Sequence, residues 1–140
     1  MNISIIYWSG TGNTQAMAEL IAEGAREAGA QVTVKEVYSA SVEDFASADA
    51  AALGCPSMGD ESLDDDFAAY VDSLADKVSG KKLGLFGSYD WGDGQWMRDW
   101  VARMNDAGAV VAGEGIIVNL TPEGDSAEAC KEYGKALASM

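Results

Sequence analysis

The sequence predicts an α/β fold: a single domain over residues 1–140, with a doubly wound five-stranded parallel sheet in the order 2-1-3-4-5 and helices on both faces. Three observations carry this expectation. Strand-like and helix-like segments alternate along the whole chain, without a long linker or an internal repeat, and such alternation means parallel strands joined by crossover helices. Leu83-Gly84-Leu85-Phe86-Gly87 and Ala50-Ala51-Ala52-Leu53 are apolar on both faces, as central strands covered on each side must be. Finally, Ser9-Gly10-Thr11-Gly12-Asn13-Thr14 stands where an apolar run hands over to a helical pattern. At such a junction hydroxyls and backbone amides converge on an anion.

The elements follow in order. The first strand is read over 3–8, from the run Ile3, Ile5, Ile6, Tyr7 and Trp8. The helix after it repeats apolar or small residues at Met17, Leu20, Ile21, Gly24 and Ala28, one face of a 3.6-residue period, and Ala28-Gly29 stops it. Strand two, over 32–37, alternates and then carries the charges of Lys35 and Glu36, which suits a sheet edge. Ser41 to Ala48 has room for a helical turn or two before strand three, over 49–54. A second amphipathic helix starts near Ser62 and aligns Phe67, Tyr70, Val71, Leu74 and Val78. Strand four runs over 82–88, and Met97, Trp100, Val101 and Met104 mark the helix that follows, ended by Asn105-Asp106-Ala107-Gly108. The last strand, over 109–119, is interrupted by Gly113-Glu114-Gly115 and takes the other edge. A weaker helix carrying Cys130, Gly134 and Leu137 closes the chain after Pro122.

Charge and composition narrow the function. The formal net charge is −14, from 23 acidic and 9 basic residues, which argues against nucleic-acid binding because phosphates must be neutralised by Lys and Arg. No stretch approaches a membrane span, and the N-terminus lacks a basic segment ahead of a long apolar run, so a cytoplasmic protein is expected. Histidine is absent; Ser-His-Asp and Cys-His catalysis and the commonest zinc ligand go with it. Cys55 and Cys130 form no C-x-x-C pair and read as two free thiols.

With this strand order the winding reverses between strands 1 and 3, and the loops after strands 1, 3 and 4 emerge on one sheet edge. The first loop, Ser9 to Thr14, has no Lys or Arg anywhere between Met1 and Gly24, so it would bind phosphate without formal positive charge. It departs from the dinucleotide fingerprint at Gln15 and lacks the lysine of a P-loop. An ordinary strand-to-helix turn capped by Asn13 or Thr14 is its alternative. The second loop, Pro56-Ser57-Met58-Gly59-Asp60-Glu61, offers a soft apolar face, a permissive glycine and a carboxylate, or else a surface turn leading into a helix. In the third, Ser88-Tyr89-Asp90-Trp91-Gly92-Asp93-Gly94 with Trp96 beyond it, the aromatics either fold back on the core or stack on a flat ligand. One phosphate site and two flat, apolar faces on one edge describe a nucleotide-like cofactor with a single phosphate.

These segments together resemble the flavodoxins, in particular the short-chain kind of anaerobic bacteria. Tyr7-Trp8-Ser9-Gly10-Thr11-Gly12-Asn13-Thr14, then Met58-Gly59-Asp60-Glu61, then Leu85-Phe86-Gly87-Ser88-Tyr89-Asp90-Trp91-Gly92-Asp93-Gly94 carry the likeness, in order and over essentially the whole chain. The resemblance implies non-covalently bound FMN and a low-potential one-electron carrier, not an enzyme, shuttling between semiquinone and hydroquinone. It implies that Ser9, Gly10, Thr11, Gly12, Asn13 and Thr14 hold the phosphate, and that Met58 and Trp91 cover opposite faces of the ring. Glu61 would accept from flavin N3–H, and the Gly59-Asp60 peptide would turn its carbonyl to a protonated N5. Backbone amides of Tyr89, Asp90, Trp91 and Gly92 would meet the pyrimidine oxygens, with Ser57 and Ser88 completing the cofactor-binding set. Asp90 stands where close relatives often have glycine; if that position needs φ > 0, the aspartate weakens FMN binding or lowers the hydroquinone potential.

Two rival readings are weaker. A small NAD(P)H-dependent flavin or quinone reductase of the same fold needs a substrate pocket and a nucleotide site, and no long insertion here builds either. A phosphoacceptor domain needs an Asp after strand 3 and a Lys after strand 5, where Gly54-Cys55 and Asn119-Leu120 stand. Asp60, Glu61, Asp64, Asp65, Asp66, Asp90 and Asp93 flank the proposed cofactor edge, so the expected partners are redox proteins that dock through basic patches on a monomer. Whether Cys55 touches the ligand or packs stays open.

Overall fold

In the computed structural model, which describes residues 1–140, the elements in chain order are β1 (Asn2–Tyr7), α1 (Asn13–Glu27), β2 (Gln31–Glu36), a 3-10 turn (Val37–Ser39), α2 (Val42–Ala46), β3 (Ala50–Gly54), α3 (Asp65–Ser73), β4 (Lys82–Tyr89), α4 (Gln95–Asp106), β5 (Val110–Val111), β6 (Ile116–Asn119) and α5 (Asp125–Ala138). The strands form a sheet in the order β2-β1-β3-β4-β5 with every pair parallel. The predicted fifth strand is thus two short pieces. Both pair with β4, Leu83 with Val111 and Phe86 with Ile116, and the chain between them detours through Gly113 and Gly115 at φ 57° and 75°. Those are left-handed conformations that a strand does not sustain.

The burial of each strand follows its place. All five residues of β3 are buried, and so are Leu83 to Ser88 of β4, whereas edge strand β2 has none fully buried. Because side chains alternate across a strand, Ile5 packs into a core with Met17, Ile21, Ala52, Phe86 and Cys130 under α1 and α5. Its neighbour Ile6 joins Leu53, Phe67, Leu85 and Trp100 on the opposite face. Phe67 meets Trp100 edge-on, ring centroids 5.9 Å apart. The two glycines of the predicted helical stripes have a specific use: a Cβ on Gly24 would lie 1.9 Å from Lys131 O, and one on Gly134 would lie 2.0 Å from Ile21 O. Helices α1 and α5 therefore meet backbone to backbone at glycine.

Helix boundaries differ from expectation in three places. Helix α3 begins at Asp65, not near Ser62, because Asp64 is its N-cap and accepts from Phe67 N–H at 3.0 Å. It ends at Ser73, so Leu74 and Val78 reach the core from the tight turns beyond it. Ala28, read as the last residue of the first buried stripe, is instead the exposed C-cap of α1. At Ser41 a capping box with Asp44 starts α2, the one-turn helix for which 41–48 had room.

Candidate functional site

Strand β1 ends at Tyr7, one residue before the predicted limit, although Trp8 N–H still reaches Gly54 O at 2.9 Å. Beyond it the chain turns through Gly12 at φ 94°, where no atom would meet an added Cβ, and enters α1 at Asn13. Neither Asn13 nor Thr14 caps that helix; Gly12 is the N-cap and contributes no side chain. The Ser9 hydroxyl ties the loop together, accepting from Gly12 N–H at 3.1 Å and Gln15 N–H at 3.3 Å. The backbone N–H groups of Gly10, Thr11, Asn13 and Thr14 have no acceptor within the protein. A run of unpaired amides at a helix N-terminus is a cradle for an anion. Thr14 is buried, its hydroxyl 3.0 Å from that of Ser88 while it accepts Ser88 N–H at 3.3 Å, which links the first loop to β4.

In the second loop Glu61 N–H closes a turn onto Met58 O at 2.9 Å, and Met58 N–H reaches Ser62 O at 3.0 Å. Positive φ falls on Glu61, at 53°, and not on Gly59 or Asp60. The Ser62 hydroxyl donates to the Asp60 carboxylate. Ser57 N–H donates to Ser88 O at 3.0 Å and so joins the second loop to the third. Cys55 packs in the core, its sulfur accepting from Asp64 N–H at 3.4 Å, and burial pushes its thiol up to about 12.

The aromatics of the third loop divide between the two fates open to them. Trp96 is buried and donates from Nε1 to Cys55 O at 3.3 Å, and Tyr89 lies against it with ring centroids 5.8 Å apart. Trp91 stays 53% exposed, an unusual surface for the largest apolar side chain. Asp90 does not occupy the left-handed region, so the backbone strain considered for it is absent; Gly92 and Gly94, at φ 88° and 91°, take the tight turns instead. The Glu61 carboxylate accepts from Asp93 N–H at 3.2 Å, bridging the second and third loops.

Between these loops lies a cleft of about 220 Å³ at the C-terminal ends of β1, β3 and β4. Gly10, Thr11 and Asn13 line it from the first loop, Ser57 and Met58 from the second, and Ser88, Tyr89 and Asp90 from the third. Ser9, Gly12 and Thr14 shape the first loop behind this lining, and Gly59, Asp60, Glu61, Trp91 and Gly92 stand outside it. Three lining residues were not among those expected to bind: Trp8, Pro56 and Leu120. Trp8 read as the end of a strand, and Leu120 follows a broken strand with no motif around it. Trp8 is held by a relay in which its Nε1 donates to the Tyr38 hydroxyl at 3.2 Å and that hydroxyl donates to Asp66 at 2.7 Å. The hydrogen bond to Asp66 raises the Tyr38 phenol above its ordinary value.

A larger hollow of about 480 Å³ lies between α4 and β6, but no hydroxyl-bearing residue lines it. The smaller cleft has the better chemistry. Hydroxyls and free amides mark one part of it and Trp8, Met58, Tyr89 and Leu120 mark the rest, a donor set that fits a phosphate joined to a flat ring. No Lys or Arg lines it.

Comparison with known proteins agrees with that chemistry. The family model described as flavodoxin matches residues 5–134. The chain is 45% identical over 139 residues to the flavodoxin of Clostridium beijerinckii, covering 99% of this chain and all of that one. It is 49% identical over 137 residues to the flavodoxin of Megasphaera elsdenii, covering 97% and 98% of the two chains. The solution structure of two-electron reduced Megasphaera elsdenii flavodoxin superposes with a TM-score of 0.91 at 48% identity, covering 99% of each chain. An archaeal flavodoxin with only 25% identity still gives 0.90 over 99% of this chain and 97% of its own. The chain belongs to the flavodoxin family, the FMN-binding low-potential electron carriers.

Proposed function

We propose that the cleft at the switch point holds FMN with its phosphate on the Ser9 to Thr14 loop and its ring between the second and third loops. The observation that carries this assignment is the row of unpaired amides at Gly10, Thr11 and Asn13, continued by Thr14 behind the lining, in the same cleft as the flat and apolar walls of Trp8, Met58 and Tyr89. FMN, when bound, supplies one-electron chemistry, and the chain's work is to hold and tune it. The hydroxyls of Thr11, Ser57 and Ser88, which line the cleft, supply hydrogen bonds where no cation is present, and that of Ser9 holds the phosphate loop in its turn. Thr14 acts through its amide and through the support its hydroxyl gives Ser88. Met58 and the exposed Trp91 take the two ring faces, and Glu61 accepts from ring N3–H with the carboxylate oxygen that Asp93 N–H does not use. The Gly59-Asp60 peptide, exposed and with open space around Gly59, has room to present either its N–H or its C=O to ring N5. Amides of Tyr89 to Gly92 complete the pyrimidine end.

As a flavodoxin the chain is an electron-transfer protein that serves redox partners and not an enzyme. We place those partners on the acidic rim formed by Asp60, Glu61, Asp64, Asp65, Asp66, Asp90 and Asp93, docking through basic patches. The charge of −14 opposes self-association and suits a monomer. No helix is long and apolar enough to cross a membrane, in keeping with the cytoplasmic location proposed. The phosphate assignment is tested by titrating cofactor-free protein with FMN and with riboflavin, which differ only in the phosphate. FMN binds at least tenfold tighter on this account; equal affinities overturn it.

A further inference from the structure

Outside its glycines the chain has two residues with positive φ, Glu61 in the second loop and Leu120, at φ 59°. For a leucine this conformation costs about 1–2 kcal/mol, and Asn, Asp or Gly is the residue that normally accepts it. Leu120 is disfavoured a second time by being 51% exposed. It nevertheless lines the cleft. Such a residue persists only where its surroundings over-determine it, and here they do. Leu120 N–H donates to Tyr89 O at 2.8 Å, and Asn119 Nδ2 donates to the same carbonyl at 3.2 Å. On its other side, the Thr121 hydroxyl donates to Asn13 Oδ1 at 2.9 Å, and the next residue, Pro122, is buried.

The segment Asn119-Leu120-Thr121 is therefore fastened at one end to the third loop and at the other to the phosphate loop, with Leu120 between the two anchors. We propose that this fourth loop is a clasp, and that Leu120 is a cofactor-retaining residue whose side chain covers the polyol chain joining ring to phosphate. The inference rests on the FMN reading of the cleft. It accounts for both penalties at once: the apolar surface left in water without cofactor becomes covered when the cleft is filled, and the backbone strain is the cost of aiming it there. Leucine at this position trades stability of the cofactor-free protein for slower loss of cofactor.

Three substitutions separate the strain from the cover. Leu120→Asn tolerates the backbone and removes the apolar cover; Leu120→Ala removes the cover and keeps most of the strain; Leu120→Met keeps cover and strain. Urea unfolding of the cofactor-free proteins and the rate of FMN release after dilution are measured for each. Relief of 1–2 kcal/mol corresponds to a folding equilibrium constant about 5- to 30-fold larger, so Leu120→Asn is expected to be more stable than the parent by that factor. FMN release accelerates about tenfold in Leu120→Asn and Leu120→Ala, and stays within about twofold of the parent in Leu120→Met. Unchanged release in both truncated variants overturns the clasp, and so does a cofactor-free Leu120→Asn protein no more stable than the parent. Failure of the parent itself to bind FMN overturns the cofactor reading instead, and the two failures are told apart by the parent's titration alone.

Discussion

Gly92 and Gly12 form a matched pair. Both sit in the left-handed region, at φ 88° and 94°, so replacing either with alanine costs the same backbone penalty of about 1–2 kcal/mol. Their surroundings differ: a Cβ on Gly12 meets nothing within 4 Å, whereas a Cβ on Gly92 would lie 1.7 Å from Glu61 Oε1. In Gly92→Ala the Glu61 carboxylate has to leave, and the 3.2 Å bond from Asp93 N–H is lost with it. A hydrogen bond of this kind contributes about 0.5–1.5 kcal/mol net, which brings the total for Gly92→Ala to about 1.5–3.5 kcal/mol against about 1–2 for Gly12→Ala. Urea unfolding of the cofactor-free proteins measures both. A cycle with Glu61→Ala isolates the contact: the double variant should be less destabilised than the sum of the two singles by about the value of the lost bond. Equal costs at Gly12 and Gly92, or full additivity in the cycle, would show that Glu61 does not tie the second loop to the third.

Gly59→Ala is expected to stabilise the cofactor-free protein by about 0.4–1 kcal/mol, because neither its φ nor its surroundings object to a Cβ. The same variant lowers the first reduction potential of the FMN-loaded protein if the turn must enter a second, glycine-only conformation; an unchanged potential refutes that need. Stability should fall as pH rises from about 9 to 12. Burial raises the folded-state values of Cys55 and Cys130, from 9.0 to about 12 and about 11, and of Tyr70 and Tyr133, from 10.0 to about 12. The unfolded chain therefore releases those protons first, so stability is complete below pH 9 and is lost through this window; a flat unfolding midpoint from pH 8 to 11 contradicts the burial. Electron transfer to a partner with a basic docking face should slow severalfold as ionic strength rises from about 0.01 to 0.15 M, where the screening length shrinks from about 30 to 8 Å. A salt-independent rate removes the docking role from the acidic rim.

The parts of the fold set by pattern were legible. The unbroken apolar run Ala50 to Leu53 and the alternation in Val32 to Val37 placed β3 at the centre and β2 at the edge, and helices do cover both faces of the former while water reaches the latter. Gly113 and Gly115 announced the break between β5 and β6. Helix ends were less legible, since the limit of α3 is set by the Asp64 cap and by three-residue turns after Ser73, neither of which alters the apolar period. In the site, the glycine-rich loops showed themselves because φ > 0 and free amides require particular residue types. Trp8 and Leu120 did not, because their place on the cleft depends on long-range contacts, the Tyr38–Asp66 relay for one and the bonds to Tyr89 and Asn13 for the other. The positive φ of Glu61, where Gly59 was the residue expected to supply conformational freedom, is likewise decided by the closure of the Met58 turn and not by local preference.

Reductive titration of the FMN-loaded protein, followed by absorbance, tests the central claim most directly. The expected result is one bound FMN per chain and two resolved one-electron steps, the second at low potential, with no reduction by NADPH unless a separate reductase is added. A single two-electron step, or rapid bleaching by NADPH alone, would contradict it.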